Sequence, residues 1–252
     1  MFNIPSWSKT KDVCYIHTRQ SSRLLVTVGD SWTFGDSLGK TKVRDGIDDR
    51  SHRLKAVYGW IMSEAMACDW VNLALPGGSN TLVLSWLEIL LGKMYKDYEE
   101  VICVVTLTES GRHEDMQYIN RQLTHQQNLE RMVTLAYGQI QTIALKYPTV
   151  RFIIAHNFTD PVGITPCNQS WLEVMLGKQI SNGTHQVVSE HIEQMNYDAR
   201  FPDVIEILNK AEARIDLLDS CNFCHKEDSR HPNERGHEMW ARYLLSQIWN
   251  NQ

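Results

Sequence analysis

Leu24-Leu25-Val26-Thr27-Val28-Gly29-Asp30-Ser31 is the stretch that orders the rest of the chain. Its first five residues are apolar or β-branched without the alternation of a half-exposed strand, which is the pattern of a parallel strand buried on both faces. Gly29 then lets the chain turn sharply and sets Ser31 at the carboxyl edge of the sheet. Open α/β sheets bind their ligands along that edge. One short segment therefore predicts both an architecture and a place to look for chemistry.

Outward from it, the same alternation repeats. A helical stretch over 52–68, a strand over 70–74, a helix over 80–95, a strand over 101–105, a long helix over 120–146 and a strand over 150–155 follow in order. A last helix begins near Asn233 and carries Trp240, Leu244, Leu245 and Ile248 on one face. In the 80–95 helix, Leu82, Trp86, Ile89, Leu90 and Lys93 mark the predicted buried face. Such a βαβ succession, with right-handed crossovers, predicts an α/β fold: a three-layer α/β/α sandwich around a mostly parallel sheet. A fifth strand is placed near 215–218.

At 252 residues, 42% hydrophobic and 22% charged, the chain can bury one substantial core, so 1–252 is expected to be a single domain. Two segments exceed the minimal pattern. The charge-rich stretch 40–53 contains Asp45, Asp48 and Asp49, but their spacing is not that of a calcium loop, and it is read as a solvated loop. The second, 165–206, holds the amphipathic Trp171-Leu172-Glu173-Val174-Met175-Leu176 and is read as a lid or partner surface over the active edge.

Charge and composition narrow the function. A net charge of -5 without any run of Lys and Arg gives no field for nucleic acid or a membrane surface, and favours a small or carbohydrate-like substrate. Residues 1–22 mix Lys9, Lys11 and Arg19 with polar residues and lack the continuous apolar core of a secretory signal. No stretch approaches the ~20 apolar residues of a membrane span. The expected setting is a reducing cytoplasm, with a virion component or export without a signal as the alternatives. Of the six cysteines, Cys221-Asn222-Phe223-Cys224-His225 matches the short haem-attachment pattern and offers zinc-type donors. Haem attachment needs export machinery and a zinc site needs a further ligand, so no cofactor and no metal are expected. The segment is instead expected to belong to the loop that leads to Asp228 and His231.

That loop, Asp228-Ser229-Arg230-His231-Pro232, supplies what Ser31 lacks. Serine is a weak nucleophile at neutral pH and needs an imidazole base within hydrogen-bond reach, and the base gains from a carboxylate that fixes its tautomer. His231 and Asp228 are the candidate base and acid. His237, six residues beyond His231 on the last helix, is assigned to structure, and Asp30 is ambiguous between the proton relay and support of the Ser31 loop. His156-Asn157 follows a strand at the same edge, which makes Asn157 a candidate pocket residue. A second Gly-Asp-Ser, at Gly35-Asp36-Ser37, does not follow a strand. No Gly-x-Ser-x-Gly elbow surrounds Ser31, and no glycine-rich nucleotide loop occurs.

Gly29-Asp30-Ser31-Trp32-Thr33-Phe34-Gly35 resembles the first block of the SGNH hydrolases, the GDSL esterase and lipase superfamily, and Asp228-Ser229-Arg230-His231-Pro232-Asn233-Glu234-Arg235-Gly236-His237 resembles their last block. The resemblance implies a flavodoxin-like strand order and a Ser31-His231-Asp228 triad. Leu75-Pro76-Gly77-Gly78-Ser79-Asn80 is similar to the second block, which implies that Gly77, or else Gly78, gives a backbone N–H to the oxyanion. The third block departs: Thr106-Leu107-Thr108-Glu109-Ser110-Gly111-Arg112 lacks the expected asparagine and has Thr108 in its place. A hydroxyl there could replace the missing donor, whose loss typically costs about 10²- to 10³-fold in rate. Glu109 and Arg112 either contact substrate, Arg112 through its planar fork, or cap and solvate their loop.

The expected activity is cleavage of a carboxylic ester, such as an acetyl group on a sugar, through an acyl-enzyme. Ser31, Gly77 and Thr108 form the expected oxyanion site, and Gly78, Glu109, Arg112 and Asn157 the expected substrate contacts. An acyltransferase on the same triad, a binding or structural protein that keeps the fold, and a phosphodiesterase using Arg112 as an anion clamp are the alternatives.

Overall fold

The structure, a computed structural model, describes residues 14–42, 45–108, 122–123, 125–157, 169–177, 221–225 and 231–250. Five strands, β1 (Cys14–His17), β2 (Arg23–Gly29), β3 (Asp69–Ala74), β4 (Glu100–Leu107) and β5 (Val150–His156), form one sheet in the order β1-β3-β2-β4-β5. β2 pairs in parallel with both β3 and β4, β4 pairs in parallel with β5, and β1 adds to β3 antiparallel. The four parallel strands are those expected from sequence, in the flavodoxin-like order. β1 was not anticipated; it is a short segment with only one neighbour among the described strands. The strand expected near 215–218 lies outside the described residues.

Seven α-helices are described: α1 (Ser31–Phe34), α2 (Arg50–Ala56), α3 (Tyr58–Met66), α4 (Asn80–Met94), α5 (His125–Lys146), α6 (Trp171–Leu176) and α7 (Glu234–Asn250). Alternation along the central strands divides the core in two, because successive side chains point to opposite faces. Leu25, Trp70, Ile102, Val104 and Ile153 pack with residues of α2, α3, α6 and α7, such as Leu54, Met62, Trp171 and Trp240. Leu24, Val26, Val28, Val101, Cys103 and Val105 pack with α4 and α5 through Leu84, Leu87, Leu91 and Ile140. The result is the expected three layers.

Three expectations change. The 52–68 helix is two helices, broken at Val57, whose extended backbone (φ -70, ψ 143) ends α2 and begins α3. On α4 the buried stripe is Val83, Leu84, Leu87, Leu90, Leu91 and Met94, whereas Ile89 is 47% exposed. This helix is apolar nearly all round, so periodicity alone does not set its phase. The described part of the 40–53 stretch is not simply solvated either. Arg53 is buried, pairs through two nitrogens with the Asp48 carboxylate (2.7 and 2.8 Å), donates to the Phe34 carbonyl (3.0 Å) and lies 3.7 Å over the Phe34 ring.

Of the segment expected as a lid, only 169–177 is described, and it is core. Ser170 and Glu173 cap α6 reciprocally, Trp171 is fully buried, and its ring stacks on Trp240 of α7 at 5.4 Å. Among the described residues no helix is long and apolar enough to cross a membrane.

Candidate active site

Ser31 is delivered to the carboxyl edge by β2. Gly29 ends that strand just before the chain turns into α1, as expected, and the need for glycine is steric. A Cβ there would stand 2.2 Å from Thr33 Oγ1 and 3.0 Å from the Thr106 carbonyl oxygen, so only glycine lets α1 close onto β4. Asp30 then caps α1, its Oδ1 accepting from the Trp32 N–H at 3.0 Å, and Ser31 becomes the first helical residue. Gly35 ends the turn in the left-handed region (φ +88), donating to the Ser31 carbonyl.

The Asp30 carboxylate is 1% exposed and is the hub of this edge. Besides Trp32, it accepts from Asn157 Nδ2 (2.9 Å, on Oδ1) and Thr108 Oγ1 (2.7 Å, on Oδ2). Asn80, at the start of α4, holds Thr108 at both backbone groups: Nδ2 donates to its carbonyl at 3.0 Å and Oδ1 accepts from its N–H at 2.9 Å. The ends of β2, β4 and β5 and the start of α4 are thus tied around one buried carboxylate. A second polar group lies beneath, where the Tyr58 hydroxyl meets Thr106 Oγ1 at 3.1 Å; burial pushes this phenol up to about 12.

These contacts bear on two sequence expectations. Thr108 has one hydroxyl hydrogen, and it is given to Asp30 rather than turned toward an oxyanion. Asn157 is fully buried, with its amide on Asp30 and its backbone bridging Leu107 and Leu172, so it supports the loop that carries Ser31.

His231 lies 200 residues from Ser31 in sequence, yet its Nε2 is 2.8 Å from Ser31 Oγ. Its segment is fixed by backbone bonds: His225 N–H to the His231 carbonyl (2.9 Å), Asn233 N–H to the Phe223 carbonyl (2.8 Å), and an antiparallel bridge between Cys224 and Pro232. The Cys-x-x-Cys-His segment therefore braces His231. Cys221 and Cys224 are buried and form no disulfide, and the side-chain hydrogen bond between them, with burial, holds the Cys224 thiol far above the ordinary range. Gly236 permits α7 to approach, since a Cβ would stand 2.8 Å from the Phe223 carbonyl oxygen. His237 is structural: fully buried, it accepts the Tyr58 N–H on Nδ1 (3.3 Å) and stacks on the Tyr58 ring. Burial, reinforced by His231 and His225, depresses it to about 3, so it is neutral.

Pro76 and Gly77 (φ +74) occupy the middle of a turn closed by the Gly78 N–H on the Leu75 carbonyl, while the Leu75 N–H reaches the Gly29 carbonyl. The turn thus sits beside the end of β2, and the Gly78 N–H is spent within it. Asp228, Glu109 and Arg112 lie outside the described residues. One group was missed from sequence: Asp36, whose Oδ2 is 3.9 Å from His231 Nε2, with both side chains largely buried. The signal was the second Gly-Asp-Ser.

No family model matches the chain, and no curated protein matches it. Solved structures with some likeness include a family two carbohydrate esterase from Clostridium thermocellum in complex with cellohexaose (13% identity, TM-score 0.47), which covers 91% of this chain and 64% of that one. A G-D-S-L family protein from Desulfitobacterium hafniense shows 11% identity and a TM-score of 0.41 over 88% of this chain and 97% of its own. An extracellular lipase from Streptomyces rimosus shows 13% identity and a TM-score of 0.38 over 89% and 99%. The chain spans less than two thirds of the first of these. Likeness of this degree assigns neither an activity nor a substrate.

Proposed function

We propose that the protein is a serine hydrolase of the SGNH type that cleaves a carboxylic ester, with a small acyl group on a carbohydrate-like alcohol as the substrate class. The observation that carries this reading is the 2.8 Å hydrogen bond between Ser31 Oγ and His231 Nε2 at the carboxyl edge of a parallel sheet. A base that close to a hydroxyl activates it for attack.

In the proposed cycle, Ser31 Oγ attacks the ester carbonyl as Nε2 takes its proton. Asp228, three residues before the base, is the proposed orienting carboxylate. The backbone N–H of Ser31, which as the first residue of a helical turn has no intrahelical acceptor, and that of Gly77 receive the oxyanion. The imidazolium then gives its proton to the departing alcohol oxygen, and water activated by the same nitrogen releases the acid. Thr108 serves this cycle through Asp30, by fixing the loop that carries Ser31.

Labelling with a fluorophosphonate tests the assignment. Wild-type protein and Ser37→Ala should label, and Ser31→Ala should not. Labelling that survives in Ser31→Ala and vanishes in Ser37→Ala would place the nucleophile in the second Gly-Asp-Ser.

A further inference from the structure

Beside the Ser31–His231 pair stands a carboxylate, Asp36. This residue is held in a fixed pose. Its N–H donates to the Ser31 carbonyl at 3.0 Å, and its Oδ1 accepts from the Ser37 N–H at 3.0 Å. Ser37 itself stands in the left-handed region (φ +71), a conformation uncommon for a residue with a Cβ and held here by a bond from its N–H to the Thr41 carbonyl. The turn thus keeps one carboxylate oxygen on Ser37 while the other, Oδ2, stands 3.9 Å from His231 Nε2. The side chain is 13% exposed, enough for a bound molecule to touch it.

Position decides what such a carboxylate meets. Nε2 is the atom that must return a proton to the leaving oxygen, so the alcohol half of the ester has to come within about 3 Å of it. Asp36 Oδ2 flanks that same nitrogen. A hydroxyl on the carbon next to the ester oxygen falls within reach of the carboxylate, which can only accept hydrogen bonds when ionised. An alkyl alcohol has nothing to donate, and an anionic one is repelled.

We propose that Asp36 is a specificity-determining residue that selects esters whose alcohol half carries a hydroxyl beside the esterified oxygen, as in a sugar or a polyol. The inference rests on the serine hydrolase reading and adds to it the residue that reads the alcohol.

The test compares kcat/KM for glycerol monoacetate, ethyl acetate and acetylcholine in wild-type protein, Asp36→Asn and Asp36→Ala. Asp36→Asn keeps the side-chain shape and an acceptor for Ser37, so its fold is expected to persist if Asp36→Ala fails to fold. The expected result is a preference for glycerol monoacetate over ethyl acetate that drops about ten- to hundredfold in the variants, the usual loss when a hydrogen bond to a charged group is removed. If both esters fall in parallel, the ratio is unchanged and Asp36 is only structural, which overturns the proposal. A ratio that changes for acetylcholine alone also overturns it, in favour of a cation site. Wild-type protein that labels at Ser31 but shows an unchanged ratio on substitution sinks this inference alone. Wild-type protein that neither labels nor hydrolyses any of the esters sinks the hydrolase reading together with it.

Discussion

The proposed nucleophile, Ser31, and its proposed base, His231, are held by different means. Ser31 sits on a buried polar network in which one carboxylate, Asp30, gathers Trp32, Thr108 and Asn157 from three parts of the sheet edge. His231 is carried by two short irregular segments joined through main-chain bonds and braced on α7, where Trp171, Trp240 and His237 pile together. The first arrangement fixes a side chain by charge desolvated among donors. The second fixes one by backbone pairing and aromatic packing, and leaves the imidazole itself out of the fold's stability. Chemistry should therefore depend equally on both residues, whereas stability should depend strongly on the Asp30 carboxylate and little on the His231 imidazole.

The chemical half of that contrast carries the largest effect. Ser31→Ala and His231→Ala should each lower kcat by about 10⁴-fold or more, and the double variant should be little worse than either, because groups that act as one unit do not contribute additively. Steady-state kinetics with a small ester would show it. Multiplying losses in the double variant would mean that the hydroxyl and the imidazole, though 2.8 Å apart, act independently.

Stability gives the next largest effect. Asp30→Ala strands three donors in a buried place, each worth on the order of 1–3 kcal/mol when left unpaired, so a loss of roughly 3–5 kcal/mol is expected. His231→Ala should cost less than about 1 kcal/mol, since it leaves the main-chain bonds of its segment intact. Denaturant titration of the two variants separates them. Equal losses would erase the distinction drawn between the two halves.

The same division explains what could be read from the sequence. β2 to β5 were legible because strands buried on both faces are near-continuous apolar runs, and Ser31 was legible because it follows one of them. His231 was found through its spacing from Asp228 and the resemblance of its block. Arg53 and Asp48 were taken for solvated charges because a sequence shows charge but not that the two will pair against the Phe34 ring. Thr108 and Asn157 were read as groups meant for a ligand, and Asn80 was given no role. Only the fold reveals that Thr108 and Asn157 turn to Asp30, and that Asn80 turns to the Thr108 backbone. Polar residues at a sheet edge have two uses, and the pattern of residue types is the same for both.

The aromatic support of the base has a pH signature. His237 is fully buried and its folded value is about 3, against about 6.5 for an exposed imidazole. Below the unfolded value the unfolded chain binds a proton that the folded chain refuses, so stability falls as pH drops from about 6.5 toward 3. At pH 4.5 this single group should cost roughly 2–3 kcal/mol relative to neutral pH. His237→Asn, which can keep an acceptor for the Tyr58 N–H, should be less stable at pH 7 but should lose most of that dependence. Thermal unfolding of both proteins across this range decides the matter, and parallel curves would show that His237 titrates normally.

The smallest effect sharpens the comparison at Thr108. If its hydroxyl serves Asp30, Thr108→Val removes one donor from a buried carboxylate while keeping the shape, and should cost about 1–2 kcal/mol of stability. Thr108→Ser keeps the hydroxyl and should restore most of it. Activity should follow the same order only through the placement of Ser31, so kcat for Thr108→Val should drop far less than the 10²- to 10³-fold that loss of a direct oxyanion donor brings. A large fall in kcat with stability unchanged would move Thr108 from the support of the nucleophile to the transition state itself. The 2.7 Å bond to Asp30 would then be one that the hydroxyl gives up during the reaction.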